Sequence, residues 1–396
     1  MKKLLPTHIM LIALLFSFST FAEFQASGEL EIHYVNVGQG GSTLIIGPNG
    51  LRILYDFGWK NGGDTIVPYL KSIGIQPEDG LDYTIVSHND RDHYTGFKGV
   101  IDAGYKVKIA NYSSGSSKNT RSMSRFWLLP AKQNSGHAVR SIPVGHRFSL
   151  GDDAEAIVIA ANGKIFQNEP VPVRDENDRS VVLFIRYGKF QFIIDGDAGA
   201  GAKRNDCARR NTSQRNLQVP VAQALLALDW MSDINGVDVM HVAHHGAESS
   251  TSAEYFNLMK PEVALISVGL NQPNNYRHPR KNIINNVLNA ESGSPCVTAH
   301  AVDFIFQTEK GVEGDCEHCG TNSGKNQHSI GDIKLVTDGK SGYRIRGHKR
   351  SANGKVILPS DKEWRCPFDE DRTSTSSLSC QVVNVLNPSL TDEQSE

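Results

Sequence analysis

The stretch SHNDRDHYTG, at residues 87 to 96, constrains the fold more than any other part of the chain. It follows the apolar run YTIV and contains His88, Asp90, Asp92 and His93. Imidazole nitrogens and carboxylate oxygens bind divalent first-row metals, and a loop leaving a strand can aim side chains at these spacings toward one point. Alone, such a stretch is as typical of a solvated turn as of a metal site.

Further polar positions close other apolar runs. Asp56 follows RILY, Asp197 closes FQFIIDGD, and His244 and His245 follow VMHVA. A later histidine, His278, follows the strand-like ALISVG. Functional groups collect where the strands of an open α/β sheet end, so these positions favour a metal site over a solvated turn. We interpret Asp56 as a group that orients the His88 loop, and the alternative is a plain strand-end turn.

The order of apolar patterns indicates the fold class. Short β-type runs separated by turn signals begin near residue 29, and the helix-like DTIVPYLKSIGI precedes the strand-like DYTIVS. A second β-rich half begins at AEAIVIA and continues through SVVLFIRYG, KFQFIIDGD and the helical VAQALLALDWMSDI. This order predicts an α/β (α+β) protein with two sheets and helices outside them, rather than one doubly wound sheet.

The N-terminus resembles an export signal. Lys2 and Lys3 precede about a dozen apolar residues and then Thr20-Phe21-Ala22, which predicts a signal peptide over residues 1–22. The alternative, a retained membrane anchor, is less favoured because the apolar run is short for a hydrocarbon core of about 30 Å. We therefore expect a periplasmic or secreted protein without stable membrane association after cleavage. The sequence predicts no oligomeric state.

The cysteines agree with export. An even number of cysteines in an exported chain favours disulfides. The CEHC at 316–319 could instead hold zinc, but a four-thiolate site needs a second close pair that the sequence lacks. The six cysteines are Cys207, Cys296, Cys316, Cys319, Cys366 and Cys380.

The motifs occur in an order that resembles a known family. They are VNVGQGGSTLII, LYDFG, SHNDRDHYTG, ENDRSVVLFIRYGKFQFIIDGD, HVAHHGAESSTS and SVGLNQPNNYRHP, across residues 33 to 279, followed by GDIKLVTDGKSGYRIRG at 331–347. The chain resembles the metallo-β-lactamase superfamily, and within it the metallohydrolase domain of ComEC-type DNA-uptake proteins. The resemblance implies a four-layer αββα sandwich over residues 27–348, which leaves 349–396 as a polar C-terminal extension.

The same resemblance implies a site for one or two divalent ions. Carried over by position, His88 and Asp90 would bind the first metal, and Asp92 and His93 the second. Asp197 would bridge both.

One of the adjacent histidines, His244 or His245, would complete the second site. We favour His244 slightly because it is nearer the strand end. Asp90 stands where the superfamily commonly has a histidine, and a carboxylate shifts the expected metal from zinc toward manganese or a mixed site.

Two further departures from the family concern the first site. The histidine that usually supplies another first-metal ligand is missing from RDENDRS, which leaves Asp175, Glu176 and Asn177 as candidates. Gly41 stands where ComEC relatives often carry aspartate, so a polar contact near the site is lost.

The implied chemistry is hydrolysis. Two divalent ions about 3.5 to 4 Å apart lower the pKa of a bridging water and supply a hydroxide near neutral pH. We therefore expect an exported metal-dependent hydrolase, first a phosphodiesterase or nuclease, with Asp92, Asp197 and His278 as catalytic residues. One alternative is lactonase-like or β-lactamase-like hydrolysis of esters or amides, although Asp90 argues against a lactamase. Another is a non-catalytic binding protein on a decayed hydrolase scaffold.

Any affinity for nucleic acid must be local, because the formal net charge is only −2. The segment 199–219 is the strongest local candidate, and because it follows Asp197 it could border the site and contact the phosphate backbone of DNA. The alternative is an ordinary solvated face. Its five cations, set against the single acid Asp206, are Lys203, Arg204, Arg209, Arg210 and Arg215.

Overall fold

The computed structural model describes most of the chain. The described residues are 24–115, 120–134, 136–201, 212–231, 236–270, 276–291, 298–312, 320, 326–351, 357–368 and 380–385. The predicted signal peptide, residues 1–22, lies outside them, as do Cys207, Cys296, Cys316 and Cys319. Among the described residues no helix is long and apolar enough to cross a membrane.

Strands dominate the described chain. In chain order they are β1 (Leu30–Tyr34), β2 (Thr43–Ile46), β3 (Arg52–Tyr55), β4 (Leu81–Val86), β5 (Val107–Ser113), β6 (Val139–Ser141), β7 (Arg147–Gly151), β8 (Ala154–Ala161), β9 (Lys164–Ile165), β10 (Val182–Tyr187), β11 (Phe190–Ile194), β12 (Val239–His241), β13 (Val263–Ile266), β14 (Phe304–Gln307), β15 (Gln327–Ser329), β16 (Asp332–Thr337), β17 (Gly342–Arg350), β18 (Ile357–Pro367) and β19 (Gln381–Asn384).

Helices are fewer and mostly short. They are α1 (Gly63–Ser72), α2 (Arg91–Tyr94), α3 (Phe97–Asp102), α4 (Arg121–Met123), α5 (Leu129–Asn134), α6 (Gln218–Ala227) and α7 (Ala253–Met259). Single 3-10 turns occur at Pro77–Asp79, Asn177–Arg179 and His244–Gly246, and π-helical turns at Ser124–Leu128 and Ile283–Leu288.

The strands form two sheets, each with an antiparallel and a parallel half. The first sheet has the order β19-β18-β17-β16-β1-β2-β3-β4-β5-β6, and the second β15-β14-β13-β12-β11-β10-β8-β7 with β9 beside β8. The run from β3 to β6 is parallel, as is the run from β11 to β15. The carboxyl ends of parallel strands share one edge of a sheet, so the loops that follow β4, β11, β12 and β13 can meet.

Three apolar clusters define four layers. Ile32 and Ile53 of the first sheet share the central cluster with Leu183 and Phe192 of the second. The outer face of the second sheet is covered by α6 and α7, and that of the first sheet by α1 and α3. Each fully buried aliphatic or aromatic side chain contributes about 1.5–3 kcal/mol of transfer free energy. The predicted αββα sandwich is therefore confirmed.

The C-terminal segment differs from the irregular appendage that its polar sequence suggested. β17 crosses the predicted domain limit at residue 348, and β18 pairs with β17 along almost its whole length. β19 then pairs with β18, and a disulfide joins Cys366 to Cys380. The expectation of disulfides is confirmed at this pair, and the described part of the segment extends the first sheet. The domain limits themselves stay a prediction.

Tyr55 links the two sheets near the edge where the loops meet. Its hydroxyl donates a 2.6 Å hydrogen bond to the carbonyl oxygen of Val181, and both residues are buried. We expect Tyr55→Phe to lower the free energy of unfolding by about 1–3 kcal/mol, because a buried carbonyl loses its donor. Urea denaturation measures this loss.

The matched control is Tyr83→Phe on β4, which removes the same atom from a partly exposed side chain. Its effect should stay within about 0.5 kcal/mol. Equal losses in the two variants would contradict a structural role for the Tyr55 bond.

Candidate metal centre

Four chain segments from both sheets meet at one edge of the sandwich. The segment after β4 belongs to the first sheet, and those after β11, β12 and β13 to the second. Gly196 permits their close approach, because a Cβ there would lie 2.9 Å from Ser87 Cβ and its φ of +53° favours glycine. The backbone N–H of His244 donates to Gly196 O at 3.0 Å, which fixes the third segment to the second.

Asp197 lies at the centre of this junction. Its Oδ2 is 3.3 Å from His93 Nε2 and 3.8 Å from His88 Nε2. The same oxygen is 3.7 Å from His244 Nε2, and Oδ1 is 3.8 Å from His245 Nε2. A buried carboxylate therefore faces four imidazoles.

Asp92 and Asp90 flank Asp197 at different depths. Asp92 Oδ2 lies 3.5 Å from His245 Nε2 and 4.0 Å from His93 Nε2. Asp90 Oδ2 lies 3.6 Å from His88 Nε2, with its side chain half exposed. Two groups of ligand atoms result, each with all members within 4.8 Å of one another: His88, His93 and Asp197, and Asp92, His93 and His245.

The donor atoms at this centre fit a metal ion. His88 Nε2, His93 Nε2, His245 Nε2 and Asp197 Oδ1 are buried and make no hydrogen bond. Burying a polar atom without a partner costs about 1–3 kcal/mol, so several such atoms converging on one point call for an occupant. Nitrogen and carboxylate oxygen donors suit a divalent transition metal.

Asp56 fixes the ring nitrogens that face away from the centre. Its Oδ1 accepts the Ser87 N–H at 2.7 Å, and its Oδ2 accepts the Ser87 hydroxyl at 2.7 Å and lies 2.7 Å from His93 Nδ1. Because the Ser87 proton is used on Asp56, Ser87 Oγ can accept from His88 Nδ1 at 3.0 Å. Both imidazoles then keep a lone pair on Nε2, as metal ligands require. These contacts agree with the orienting role inferred for Asp56.

Gly41 packs against this same pair. A Cβ at Gly41 would lie 3.3 Å from both Asp56 Oδ2 and His93 Nδ1. A larger side chain would therefore crowd the Asp56–His93 hydrogen bond. In this chain Asp56 and His93 fill the space beside Gly41.

The two adjacent histidines reach opposite oxygens of Asp197. His245 Nδ1 donates to Ser267 O at 2.7 Å, which leaves its Nε2 toward Asp92. His244 Nδ1 lies 3.1 Å from Ser249 Oγ, with Nε2 toward Asp197 Oδ2. The distances therefore group His245 with Asp92 and His93. The sequence slightly favoured His244 for this group.

The three candidates for the missing first-site ligand differ in their contacts. Asp175 Oδ1 accepts the backbone N–H of Asn177 at 3.2 Å, within its own turn. Glu176 Oε1 accepts the backbone N–H of Asn89 at 3.1 Å. Asn177 Nδ2 lies 3.4 Å from His244 Nδ1. Asn177 Oδ1 is buried and makes no hydrogen bond, and the side chain that completes the first site stays a prediction.

The charges of the centre favour ionised carboxylates. Burial raises the pKa of Asp92, but His93 and His245 lower it to about 2. Burial likewise raises the pKa of Asp197, and His93, His244 and His245 bring it well below its usual range. Both carboxylates are therefore negative at neutral pH.

His278 lies beside the histidine pair. It is buried, with its ring centre 5.7 Å from that of His244 and 6.3 Å from that of His245. Burial, followed by His244 and His245, holds its pKa well below the usual value, so its imidazole is neutral at pH 7. A neutral imidazole there can donate one hydrogen bond.

Sequence reasoning missed two features of the centre. One is a buried network behind Asp197, in which Asp195 lies 2.9 Å from His241 Nδ1 and accepts from Gln218 at 2.7 Å. Gln218 also accepts the backbone N–H of Thr251 at 2.7 Å, which ties two site loops together. The other is Tyr276, whose ring centre is 5.8 Å from that of His278. Asp195 lies in the motif FIIDGD and Tyr276 in NNYRHP, so both residues stand beside predicted site residues in the sequence.

Four of the five cations of the basic segment lie outside the described residues: Lys203, Arg204, Arg209 and Arg210. Arg215 is described and partly exposed, and its backbone N–H donates to Asp178 Oδ1 at 2.6 Å.

Sequence comparison finds distant relatives. No protein-family model matches the chain. "Recombination protein 2" of Haemophilus influenzae is 26% identical over 253 residues, 63% of this chain and 25% of the relative. "ComE operon protein 3" of Bacillus subtilis is 25% identical over 276 residues, 65% of this chain and 30% of the relative. The chain thus spans less than a third of the length of these two relatives. They confirm the resemblance that the motifs indicate.

Comparison with solved structures gives remote likenesses. CmlA, a diiron β-hydroxylase from Streptomyces venezuelae, is 13% identical with a TM-score of 0.34, over 60% of this chain and 44% of that one. MEM-A1, a subclass B3 metallo-β-lactamase from a soil metagenome library, is 16% identical with a TM-score of 0.34. The match covers 57% of this chain and 78% of that one. The fold assignment rests on the sheet order described above.

We expect the purified chain to bind at least one transition metal. The combined change His88→Ala and Asp197→Ala should abolish binding, because it removes donors from both sides of the centre. Equilibrium dialysis followed by elemental analysis measures the metal content. His146→Ala, which removes a histidine from the turn before β7, is the matched control and should keep it.

Single changes test the division of the histidines. If the chain holds two ions, His244→Ala and His245→Ala should each lose one and keep the other. Full metal content in the variant that combines His88→Ala and Asp197→Ala, with an unchanged far-UV circular dichroism spectrum, would contradict the site.

Proposed function

We propose that this chain, a relative of ComEC-type competence proteins with a metallo-β-lactamase fold, is a metal-dependent hydrolase that cleaves phosphodiesters. One observation carries the proposal: buried histidine and aspartate atoms without hydrogen bonds converge on Asp197 at the shared edge of two sheets. A structural ion would be expected to have a closed ligand set, whereas Asp90 on the rim is half exposed. The partial opening favours a site that admits substrate.

The ligands divide into two sets around Asp197. We assign His88, Asp90 and His244 to one ion, and Asp92, His93 and His245 to the other. Of the two Asp197 oxygens, it is Oδ2 that His93 Nε2 approaches, at 3.3 Å. When bound, such ions, zinc or manganese, activate water and neutralise charge on the attacked phosphoryl group. His93 lies within both groups of ligand atoms, so the two sets are adjacent rather than independent.

The protein's own residues supply orientation and charge. Asp92 and Asp197 stay ionised, so both carboxylates can serve as ligands to a divalent cation. Asp56 holds His93 and, through Ser87, His88 in the tautomers that keep Nε2 available. His278 is placed to donate a hydrogen bond to a phosphoryl oxygen.

A phosphodiester is favoured over a carbon ester or amide for two reasons. Asp90 adds a hard oxygen donor where lactamase-like sites commonly use histidine. The name of one relative, "Recombination protein 2", also refers to recombination, a process that acts on nucleic acid. We therefore propose DNA as a substrate, although the chain covers only part of either relative.

We place the enzyme outside the cytoplasm, in the periplasm or beyond. The proposed signal peptide over residues 1–22 supports this location. The disulfide between Cys366 and Cys380 also supports it, since disulfides persist in oxidising compartments.

A substrate panel tests the reaction class. The manganese- or zinc-loaded chain should hydrolyse bis(p-nitrophenyl) phosphate but neither a lactone nor a cephalosporin. His278→Ala should lower kcat on the phosphodiester about 10²- to 10³-fold, because a hydrogen bond to developing charge is lost. Its metal content should stay unchanged. Turnover of the lactone or cephalosporin alone would favour the ester or amide hydrolase, and no turnover with any divalent ion the non-catalytic scaffold.

The basic segment after Asp197 is proposed to track the phosphate backbone. Neutralising about three to five phosphates would make DNA binding fall steeply with salt. Arg209→Ala with Arg210→Ala should weaken DNA binding and reduce the slope of log affinity against log salt by about 2, while sparing bis(p-nitrophenyl) phosphate. Filter binding at several salt concentrations measures the slope.

The control pair is Lys71→Ala with Lys340→Ala, two exposed cations, of which the first lies in the last turn of α1 and the second follows β16. It should leave the slope unchanged. Equal losses on DNA and on the small substrate would show that Arg209 and Arg210 support the fold instead. Unchanged DNA binding would remove them from the path of the substrate.

A further inference from the structure

Tyr276 is an exposed aromatic side chain at the edge of the metal centre. Its relative exposure is 45%. The other strongly exposed large apolar side chains among the described residues are aliphatic: Ile109, Leu129, Leu358 and Val382. Single exposed apolar residues are ordinary, so exposure alone carries no function. The position of Tyr276 is what distinguishes it.

Tyr276 lies two ring contacts from the ligand histidines. Its ring centre is 5.8 Å from that of His278, and the His278 ring centre is 5.7 Å from that of His244. His278 is buried, whereas Tyr276 is open to solvent. The tyrosine ring is therefore the outer, accessible end of a row of rings that leads to the metal centre.

The backbone beside Tyr276 is fixed to the ligand loop. The backbone N–H of Arg280 donates to Gly246 O at 2.9 Å, directly after the two histidines. Pro279 packs so closely on Gly246 that a Cβ there would lie 2.8 Å from Pro279 Cβ. Residues 278–280 therefore hold a set position relative to His244 and His245, and Tyr276 is two residues from this anchor.

We propose that Tyr276 is a stacking platform for an unpaired nucleobase close to the scissile phosphate. The inference rests on the proposed phosphodiesterase function and gives it a substrate preference. Exposed aromatic rings bind bases by stacking whatever the sequence, whereas a paired base inside a duplex has both faces covered. Substrates with unpaired bases beside the cleavage point, of DNA or RNA, are therefore preferred over blunt duplexes.

The distances set the position of the stacked base. Successive nucleotides in a stacked strand are separated by about 3.4 Å along its axis. The two ring steps of 5.8 and 5.7 Å between Tyr276 and His244 correspond to about one to three nucleotides. The stacked base thus belongs to a nucleotide near the attacked phosphate rather than to a remote one.

Binding and cleavage of matched oligonucleotides test the proposal. The probes are a 12-nucleotide single strand, as DNA and as RNA, an abasic strand of equal length, and a blunt duplex. Phosphorothioate versions serve for fluorescence anisotropy, and ordinary strands for kinetics. The metal-loaded full chain is compared with Tyr276→Ala and Tyr276→Phe, and Leu129→Ala is the exposed aliphatic control.

Tyr276→Ala should weaken binding of the base-containing single strand about 5- to 150-fold, the effect of losing one stacked base. The affinity of Tyr276→Phe should stay within about twofold of that of the unchanged protein, because phenylalanine keeps the aromatic face. The affinity of Leu129→Ala should also stay within about twofold, because Leu129 takes no part in stacking. On the abasic strand and the blunt duplex, Tyr276→Ala should equal the unchanged protein. A loss on DNA alone or RNA alone supports the proposal and identifies the sugar.

Two results would overturn the proposal. One is undiminished binding of the base-containing strand by Tyr276→Ala with unchanged metal content. The other is an equal loss on base-containing and abasic strands, which would assign Tyr276 to the loop or the backbone path. Tyr276-dependent binding without hydrolysis of any phosphodiester would leave the stacking platform standing and remove the proposed function instead.

Discussion

The buried carboxylate of Asp197 is the interaction on which the centre depends. It lies after β11 in the second sheet, yet His88 and His93 reach it from the first sheet. A negative charge at this depth is costly unless cations or donors surround it. The two sheets must therefore keep their loops in register at this edge. The inter-sheet bond from Tyr55 to Val181 lies at the same junction, since the Val181 N–H also donates to Ser87 O.

Two further carboxylates hold the shell behind Asp197, one on each sheet. Asp56 accepts from Ser87 and faces His93, so it fixes the loop of the first sheet. Asp195 accepts from Gln218 and faces His241, so it fixes the loop of the second. Each is almost fully buried, and each binds through both of its oxygens. Such partners restrict ring orientation and so determine which nitrogen faces Asp197 and would be available to a metal.

Much of this arrangement could be predicted from the sequence, because ligand-type residues follow apolar runs and strand ends share an edge. The order of strand and helix patterns likewise predicted two sheets with outer helices. Which oxygen of Asp197 each of His244 and His245 faces could not be predicted. It depends on backbone torsions and on which ring nitrogen contacts Ser267 or Ser249. The pairing of β18 and β19 was also missed, because polar strands at a sheet edge show little apolar alternation.

Backbone torsions explain how adjacent histidines can serve two sides of one carboxylate. His244 and His245 both have left-handed φ values, +54° and +56°, and Asp56 has +63°. Each such non-glycine residue costs on the order of 1–3 kcal/mol and persists only where its surroundings fix it. Hydrogen bonds provide that restraint here, from His244 N to Gly196 O and from His245 Nδ1 to Ser267 O. An extended backbone would send neighbouring side chains to opposite faces. The left-handed pair instead brings both Nε2 atoms to Asp197, so the backbone strain lies at the residues that face the buried carboxylate.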